Sequence, residues 1–133
     1  MKREIIEKNP ILKLSFDFSL MVIDYCEKLE LQKKFIISKP LLRSGTSIGA
    51  NSFEAQNSES EADFIHKMKI AAMERDEAQY WLLLCAYANG YPDCSLALQK
   101  HEELNKVPTK IIATSKRNNP LSYFLAFSFN NNL

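Results

Sequence analysis

The chain has 133 residues, of which 46% are hydrophobic and 25% are charged, and its formal net charge is +1. This length fits one domain with a core of its own, while three glycines and five prolines are too few for a loop-rich or all-β fold. A nearly neutral chain produces no long-range field that would draw nucleic acid or an anionic membrane to it, although local patches remain possible.

The first predicted helix covers residues 10–31. Asn9 suits the N-cap and Pro10 the first helical position. Apolar residues then recur at three- and four-residue spacing, which predicts an amphipathic helix with one face in a core. The second predicted helix covers residues 39–57, with Ser38 as its cap.

The third predicted helix covers residues 60–89, with Ser58 or Ser60 as its cap and Asn89-Gly90 as its stop. The fourth predicted helix covers residues 93–116. Connections this short favour antiparallel neighbours. The pattern therefore predicts an all-α fold, an up-down-up-down four-helix bundle.

Pro108 falls inside the fourth predicted helix, where it removes a backbone donor. We expect that helix to be kinked or divided near Leu104. Residues 1–117 are predicted to form a single four-helix-bundle domain, and residues 118–133 an irregular C-terminal tail rich in aromatic side chains. The sequence leaves open whether the tail docks on its own subunit or on a neighbour.

The second predicted helix is crowded with small residues, which indicates that other backbones approach it closely. Arg43, Asn51 and Glu54 form a polar stripe on one side of it, and Glu74 and Glu77 of the third helix are candidate partners. The stripe is either a solvated surface or a polar network that links helices or subunits through charge-assisted hydrogen bonds. We favour the network, because small residues flank the charges.

From Tyr80 to Ala88 the third predicted helix is apolar around its whole circumference. Such a helix must be covered on every side, whereas a helix of a single four-helix bundle keeps one face in water. Aromatic anchors are frequent in the cores of interfaces. We therefore expect a homo-oligomer whose interface includes Tyr80, Trp81, Leu84 and Tyr87.

Patterns that would support catalysis are missing from the sequence. A carboxylate di-metal bundle needs Glu-x-x-His pairs, and neither His66 nor His101 follows a glutamate at that spacing. Cys85 lies in the apolar run and is expected in the core, whereas Cys94 lies near a helix start, where a thiol pKa can be lowered. We expect no enzymatic activity, no metal or other cofactor, and no small-molecule substrate.

The three cysteines form no Cys-x-x-Cys pair, which argues against a disulfide framework or a zinc site and favours a reducing compartment. The longest apolar run is too short to span a membrane. Met1 is followed by no apolar signal-peptide core. We expect a cytoplasmic protein without a membrane partner.

Basic residues near the ends of the predicted helices are candidate contacts for nucleic acid. They form either a solvated helix surface or, after repetition by symmetry, a ring of positive charge that binds RNA or ribonucleoprotein. Salt-dependent RNA binding would identify the second alternative. The candidate residues are Lys33, Lys34, Lys39, Lys106, Lys110, Lys116 and Arg117.

Three groups of residues match a known family: Leu41-Leu42-Arg43-Ser44-Gly45-Thr46-Ser47-Ile48-Gly49-Ala50-Asn51 with Glu54-Ala55, then Phe64-Ile65-x-Lys67-Met68-x-Ile70-Ala71, then Glu74, Glu77 and Tyr80-Trp81-Leu82. They resemble the four-helix-bundle family of bacterial 23S rRNA intervening-sequence proteins, over roughly residues 16–117. The resemblance implies a left-handed up-down bundle and a homopentamer, and it implies no enzymatic activity. We therefore expect a non-catalytic oligomer that serves as an interaction scaffold. Its members are also similar in fold to the accessory protein of diversity-generating retroelements, a pentameric barrel that binds RNA and a reverse transcriptase, which implies RNA as the alternative partner.

Overall fold

The structure is a computed structural model that describes residues 3–115, with side chains as far as Val107. These residues form five α-helices: α1 (Arg3–Lys8), α2 (Pro10–Leu31), α3 (Phe35–Ala55), α4 (Glu61–Tyr87) and α5 (Ser95–Ser115). The predicted all-α fold is confirmed, since the described part of the chain holds four long helices and no strand. The short helix α1 was not predicted, and the tail 118–133 lies outside the described residues.

The four long helices surround one core in the order α2, α3, α4, α5, and α5 closes the ring against α2. Helix α1 lies against α2. Each short connection reverses the chain, so the α2–α3 turn and the α4–α5 connection lie at the same end of the bundle, which we call the turn end. The largest buried apolar side chains include Phe18, Val22, Leu29, Leu41, Ile48, Leu82 and Leu104.

Helix α2 begins and ends with hydrogen-bonded caps. Asn9 Oδ1 accepts two backbone N–H groups of the first turn, at 3.1 and 3.4 Å, as its N-cap position predicts. At the other end, the N–H groups of Lys34 and Lys33 donate to the carbonyls of Leu29 and Glu30 at 2.8 and 2.9 Å. This is a Schellman motif, and Lys33, with φ of 59°, occupies the left-handed position where glycine is usual.

Helix α3 begins at Phe35 instead of residue 39, directly after the turn. Ser38, the predicted cap, is buried inside the helix, and its N–H makes a helical hydrogen bond of 3.3 Å. Pro40 therefore lies within the helix, and its missing N–H leaves the Ile36 carbonyl without a helical partner. Because Ile36 is 89% exposed, water can supply that bond, while Ile37 packs on the core and holds the extra turn in place.

Helices α4 and α5 begin and end within two residues of their predicted bounds. Ser60 caps α4, because its Oγ accepts the N–H of Asp63 at 3.1 Å. Ser58, the other candidate cap, donates instead to the carbonyl of Ala55 at 2.7 Å. Helix α5 continues through Pro108, which therefore does not divide it. The predicted kink at this proline stays a prediction.

The small residues of α3 allow α2 to approach it closely. A Cβ atom at Gly45 would lie 2.8 Å from both methyl groups of Val22, which is too close for a real contact, so this crossing requires glycine. The buried hydroxyls of Ser44 and Ser52 donate to carbonyls four residues earlier in α3, at 2.9 and 2.8 Å. These serines are therefore satisfied within their own helix and can be buried against a neighbour without a polar partner there.

Candidate interaction surface

Arg43 and two glutamates of α4 form an ion-pair cluster on the surface between α3 and α4, which we call the Arg43 cluster. Arg43 Nη1 donates to both carboxylate oxygens of Glu74, at 3.1 and 3.2 Å, and Nη2 donates to Glu77. Trp81 Nε1 donates to the same carboxylate of Glu77 at 3.3 Å. The hydrogen bond with Glu74 raises the pKa of the Arg43 guanidinium. Because the Arg43 side chain is 54% exposed, water weakens these ion pairs.

The other two residues of the predicted polar stripe do not join this cluster. Asn51 Nδ2 donates to the carbonyl of Ser47, one turn earlier in α3, at 2.8 Å. Glu54 pairs with Lys67 of α4 at 3.5 Å. The structure thus divides the predicted network into the Arg43 cluster, a separate ion pair, and an amide bonded within its own helix.

A row of large apolar side chains runs along the outer face of α4. Met73, Tyr80 and Tyr87 are spaced by seven residues and are 64%, 57% and 87% exposed. Leu83 lies beside them and is also exposed. We call these four residues the α4 stripe. A seven-residue spacing keeps side chains on nearly the same face of a helix, so the row is continuous.

The α4 stripe overlaps only partly with the predicted interface residues. Tyr80 and Tyr87 belong to it, whereas Trp81 and Leu84 are half-buried. Trp81 packs on the core of its own protomer, and its ring meets that of Tyr80 edge-on with centroids 5.5 Å apart. Met73 was not predicted, because it precedes the continuous apolar run; its seven-residue spacing from Tyr80 was the signal in the sequence.

A second apolar surface, which was not predicted, is a groove between α2 and α3 with a volume of about 270 Å³. Aromatic side chains form its walls, small residues form its floor, and α1 closes one end. We call it the α2–α3 groove. Its main lining residues are Ile6, Phe16, Ser19, Gly49, Ala50 and Phe53.

Inside the bundle, a buried histidine joins α5 to α4. His101 is fully buried, and its Nε2 lies 2.9 Å from the backbone carbonyl of Arg75. A carbonyl only accepts, so Nε2 carries the proton, and Asn105 Nδ2 lies 3.4 Å from the other ring nitrogen. Burial lowers the pKa of His101. The Arg75 guanidinium is also buried, which lowers its pKa, and it donates to Asp76. The imidazole of His101 and the guanidinium of Arg75 are therefore both closed to solvent.

A model of a family described as 23S rRNA-intervening sequence protein matches residues 7–113. The chain belongs to this family. Among solved structures it is similar to the crystal structure of a protein of unknown function from the S23 ribosomal protein family of Bacteroides thetaiotaomicron. The two are 35% identical with a TM-score of 0.66, over 78% of this chain and 96% of that chain. No functionally curated protein matches the sequence.

The three cysteines of this intervening-sequence family member are buried. The thiols of Cys26 and Cys94 donate to the carbonyls of Ser38 and Leu82, each at 3.4 Å. Burial raises the pKa of Cys26 to about 12 and also raises the pKa of Cys85 and of Cys94. The lowered pKa considered for Cys94 is therefore wrong, because desolvation outweighs the nearby helix start. Within residues 3–115, no group of three or more His, Cys, Asp and Glu side chains could hold a metal ion.

The basic residues proposed as nucleic-acid contacts are spread over the bundle. Lys33 and Lys39 are exposed at the turn end, whereas the Lys34 ammonium lies 5.0 Å from the ring centroid of Tyr91, as in a cation–π contact. Lys106 is exposed on the second half of α5. The structure does not describe the side chain of Lys110 or any part of Lys116 and Arg117. Of the helices that the structure describes, none is both long and apolar enough to cross a membrane.

Proposed function

We propose that this protein is a non-catalytic, homo-oligomeric scaffold in which another copy of the chain covers the α4 stripe. The observation that carries the proposal is the alignment of three exposed side chains, Met73, Tyr80 and Tyr87. Single exposed apolar residues are ordinary on a protein surface, whereas a contiguous row marks an interaction site. Tyrosine and methionine are also enriched at interfaces.

The Arg43 cluster gives the α4 stripe a polar border. Glu77 lies four residues after Met73 and three before Tyr80, so its carboxylate is next to the stripe on the helix surface. An apolar centre with a charged rim is the usual composition of a specific interface. Five copies is the number implied by the resemblance of the sequence motifs to the family.

The buried ionisable groups support the absence of catalysis in this proposal. The cysteine thiols are closed to solvent and have raised pKa values, so they are poor nucleophiles at neutral pH. His101, held in the core against a backbone carbonyl, cannot reach a substrate. Three free thiols also suit the reducing cytoplasm that we propose as the location.

The mass of the full chain in solution tests this proposal. We expect a multiple of 15.3 kDa at micromolar concentration, and five times that mass for the pentamer. Tyr80→Arg should reduce the mass to that of one chain, because a guanidinium cannot be buried there without a partner. Leu96→Arg is the matched control, since Leu96 is 67% exposed but lies on α5, away from the stripe. A monomeric wild-type protein would refute self-association.

The alternative function is an RNA- or ribonucleoprotein-binding ring. Its support is the exposure of Lys33 and Lys39 at the turn end, which symmetry would repeat around an oligomer. Binding to a structured RNA, titrated with salt, separates the two functions. RNA binding predicts a steep salt dependence, and the slope of log K against log salt should fall by roughly one for each lysine replaced by glutamine. No binding at low salt would remove this alternative.

A further inference from the structure

We infer that the α4 stripe of one copy docks into the α2–α3 groove of the next copy. This inference rests on the self-association proposed above and adds the surface that receives the stripe. It is carried by three features of the groove: a glycine that the protomer itself does not need, a shape that fits aromatic side chains, and edges without unpaired charge.

Gly49 lies in the floor of the groove, and the packing of its own protomer does not require a glycine there. A Cβ atom at this position would meet its nearest neighbour, Ser19 Oγ, at 3.4 Å, which is an ordinary contact. Gly45, one turn earlier, would instead meet Val22 at 2.8 Å. A glycine inside a helix costs about 1 kcal/mol relative to alanine. The loss of helix stability at Gly49 is explained if an occupant of the groove approaches the backbone of α3 closely at this residue.

The groove is shorter than the α4 stripe but has room for one of its rings. The α4 stripe extends from Met73 to Tyr87, about 21 Å along the helix axis. On α3 the lining of the groove extends from Thr46 to Phe53, about 11 Å, so the groove takes up about half of the stripe. The groove volume of about 270 Å³ exceeds the roughly 150 Å³ of an apolar cavity that takes up benzene. A tyrosine ring of the stripe can therefore lie between the aromatic walls.

Among the residues that the structure describes, none that lines the groove is charged, and the charged residues beside it are paired, which suits a neutral partner. These charged residues line a neighbouring hollow that shares Ile6 and Phe16 with the groove. Lys13 is paired with Asp17, and Arg3 with Glu7, each at 3.2 Å. The stripe itself contains no charged side chain. Ser19 Oγ donates to its own helix at 2.8 Å but can still accept a hydrogen bond from a tyrosine hydroxyl. Docking thus leaves no charge buried without a partner.

The stripe and the groove lie on different sides of the bundle, because α4 follows α3 in the ring of helices and does not border α2. One copy can therefore bind a neighbour through each surface. Such a head-to-tail contact is heterologous, and its repetition closes into a ring when the rotation between copies fits a whole turn. A contact of stripe with stripe would instead stop at two copies.

Two single variants and their mixture test the inference. Ala50→Arg places a charge in the groove at an exposed position of α3, Tyr80→Arg disrupts the stripe, and Gln99→Arg adds the same charge to the exposed face of α5 as a control. We expect the first two to have the mass of one chain and the control to keep the wild-type mass. Circular dichroism and thermal melting of each variant confirm that it is folded.

An equimolar mixture of Ala50→Arg and Tyr80→Arg, at the highest attainable concentration, should have the mass of two chains and no more. The intact stripe of the first variant fits the intact groove of the second, and the remaining two surfaces are blocked. A mixture that stays monomeric, or that recovers the full wild-type mass, would overturn the inference, as would Ala50→Arg that assembles normally. If wild type is monomeric, the proposed self-association itself fails, so the two failures are distinguishable.

Discussion

Replacing Gly45 with alanine adds a methyl group where α3 closely approaches Val22 of α2. The new Cβ would lie 2.8 Å from Cγ1 and Cγ2 of Val22 and 3.2 Å from its Cβ. Val22 is fully buried and β-branched, so it cannot turn away cheaply. Overpacking of this kind costs about 1–3 kcal/mol, and the gain in helix propensity is about 1 kcal/mol. We expect the free energy of unfolding to fall by about 1 kcal/mol.

Gly49→Ala is the matched control on the same helix. The nearest atom to its new Cβ would be 3.4 Å away, so the helix gain of up to about 1 kcal/mol is retained. Both substitutions belong in the Tyr80→Arg background, where the proposed interface is absent and assembly does not add to the measured stability.

Urea unfolding at constant m-value measures both effects. Val22→Ala removes the two methyl groups that clash, so the double variant with Gly45→Ala should recover part of the loss. Residues in contact couple by about 0.5–3 kcal/mol. The reasoning fails if Gly45→Ala is as stable as its parent, or if the two substitutions are additive.

Three further predictions concern polar groups and thiols. Arg43→Met should lower the melting temperature or the assembled mass, and unchanged values of both would contradict a role in the surface network. Burial lowers the pKa of His101 below its ordinary value of 6.5, so the unfolded chain binds more protons in mildly acidic solution. The free energy of unfolding should therefore be largest above pH 6.5 and fall as the pH is lowered through that value; His101→Gln should reduce this fall, and an identical pH profile would count against the buried neutral ring. Cys26, Cys85 and Cys94 should react with a thiol reagent only after unfolding, and fast labelling of the native protein would show that a thiol is accessible.

Local sequence signals were sufficient for most of the fold. The cap at Asn9 and the apolar periodicity after it placed α2 within its observed bounds. The start of α3 was missed, because proline is usually found in the first turn, whereas packing of Ile37 on the core extends this helix before Pro40. Helix α1 was missed because it has only six residues. It is held in place by the packing of its one buried side chain, Ile6, on the rest of the protein.

The candidate surfaces show where single-helix patterns are insufficient. Tyr80 and Tyr87 were found from an apolar run within one helix. The α2–α3 groove was not, because its walls, Phe16 and Phe53, belong to different helices and no periodicity relates them. Likewise, the partners of Arg43 could be named from charge, but their distances depend on how α3 and α4 are packed.

Because the backbone of Lys33 is left-handed, substitutions at this position can separate the effect of its charge from the effect of the strain in the turn. A non-glycine residue in this conformation is strained by roughly 1–2 kcal/mol, and glycine would relieve the strain while keeping the Schellman hydrogen bonds. Lys33→Gly should thus make the bundle more stable by about 1 kcal/mol and at the same time remove a cation from the turn end. Lys33→Gln removes the same cation and keeps the strain. A property lost equally in both variants depends on the ammonium group, and one that differs between them depends on the turn.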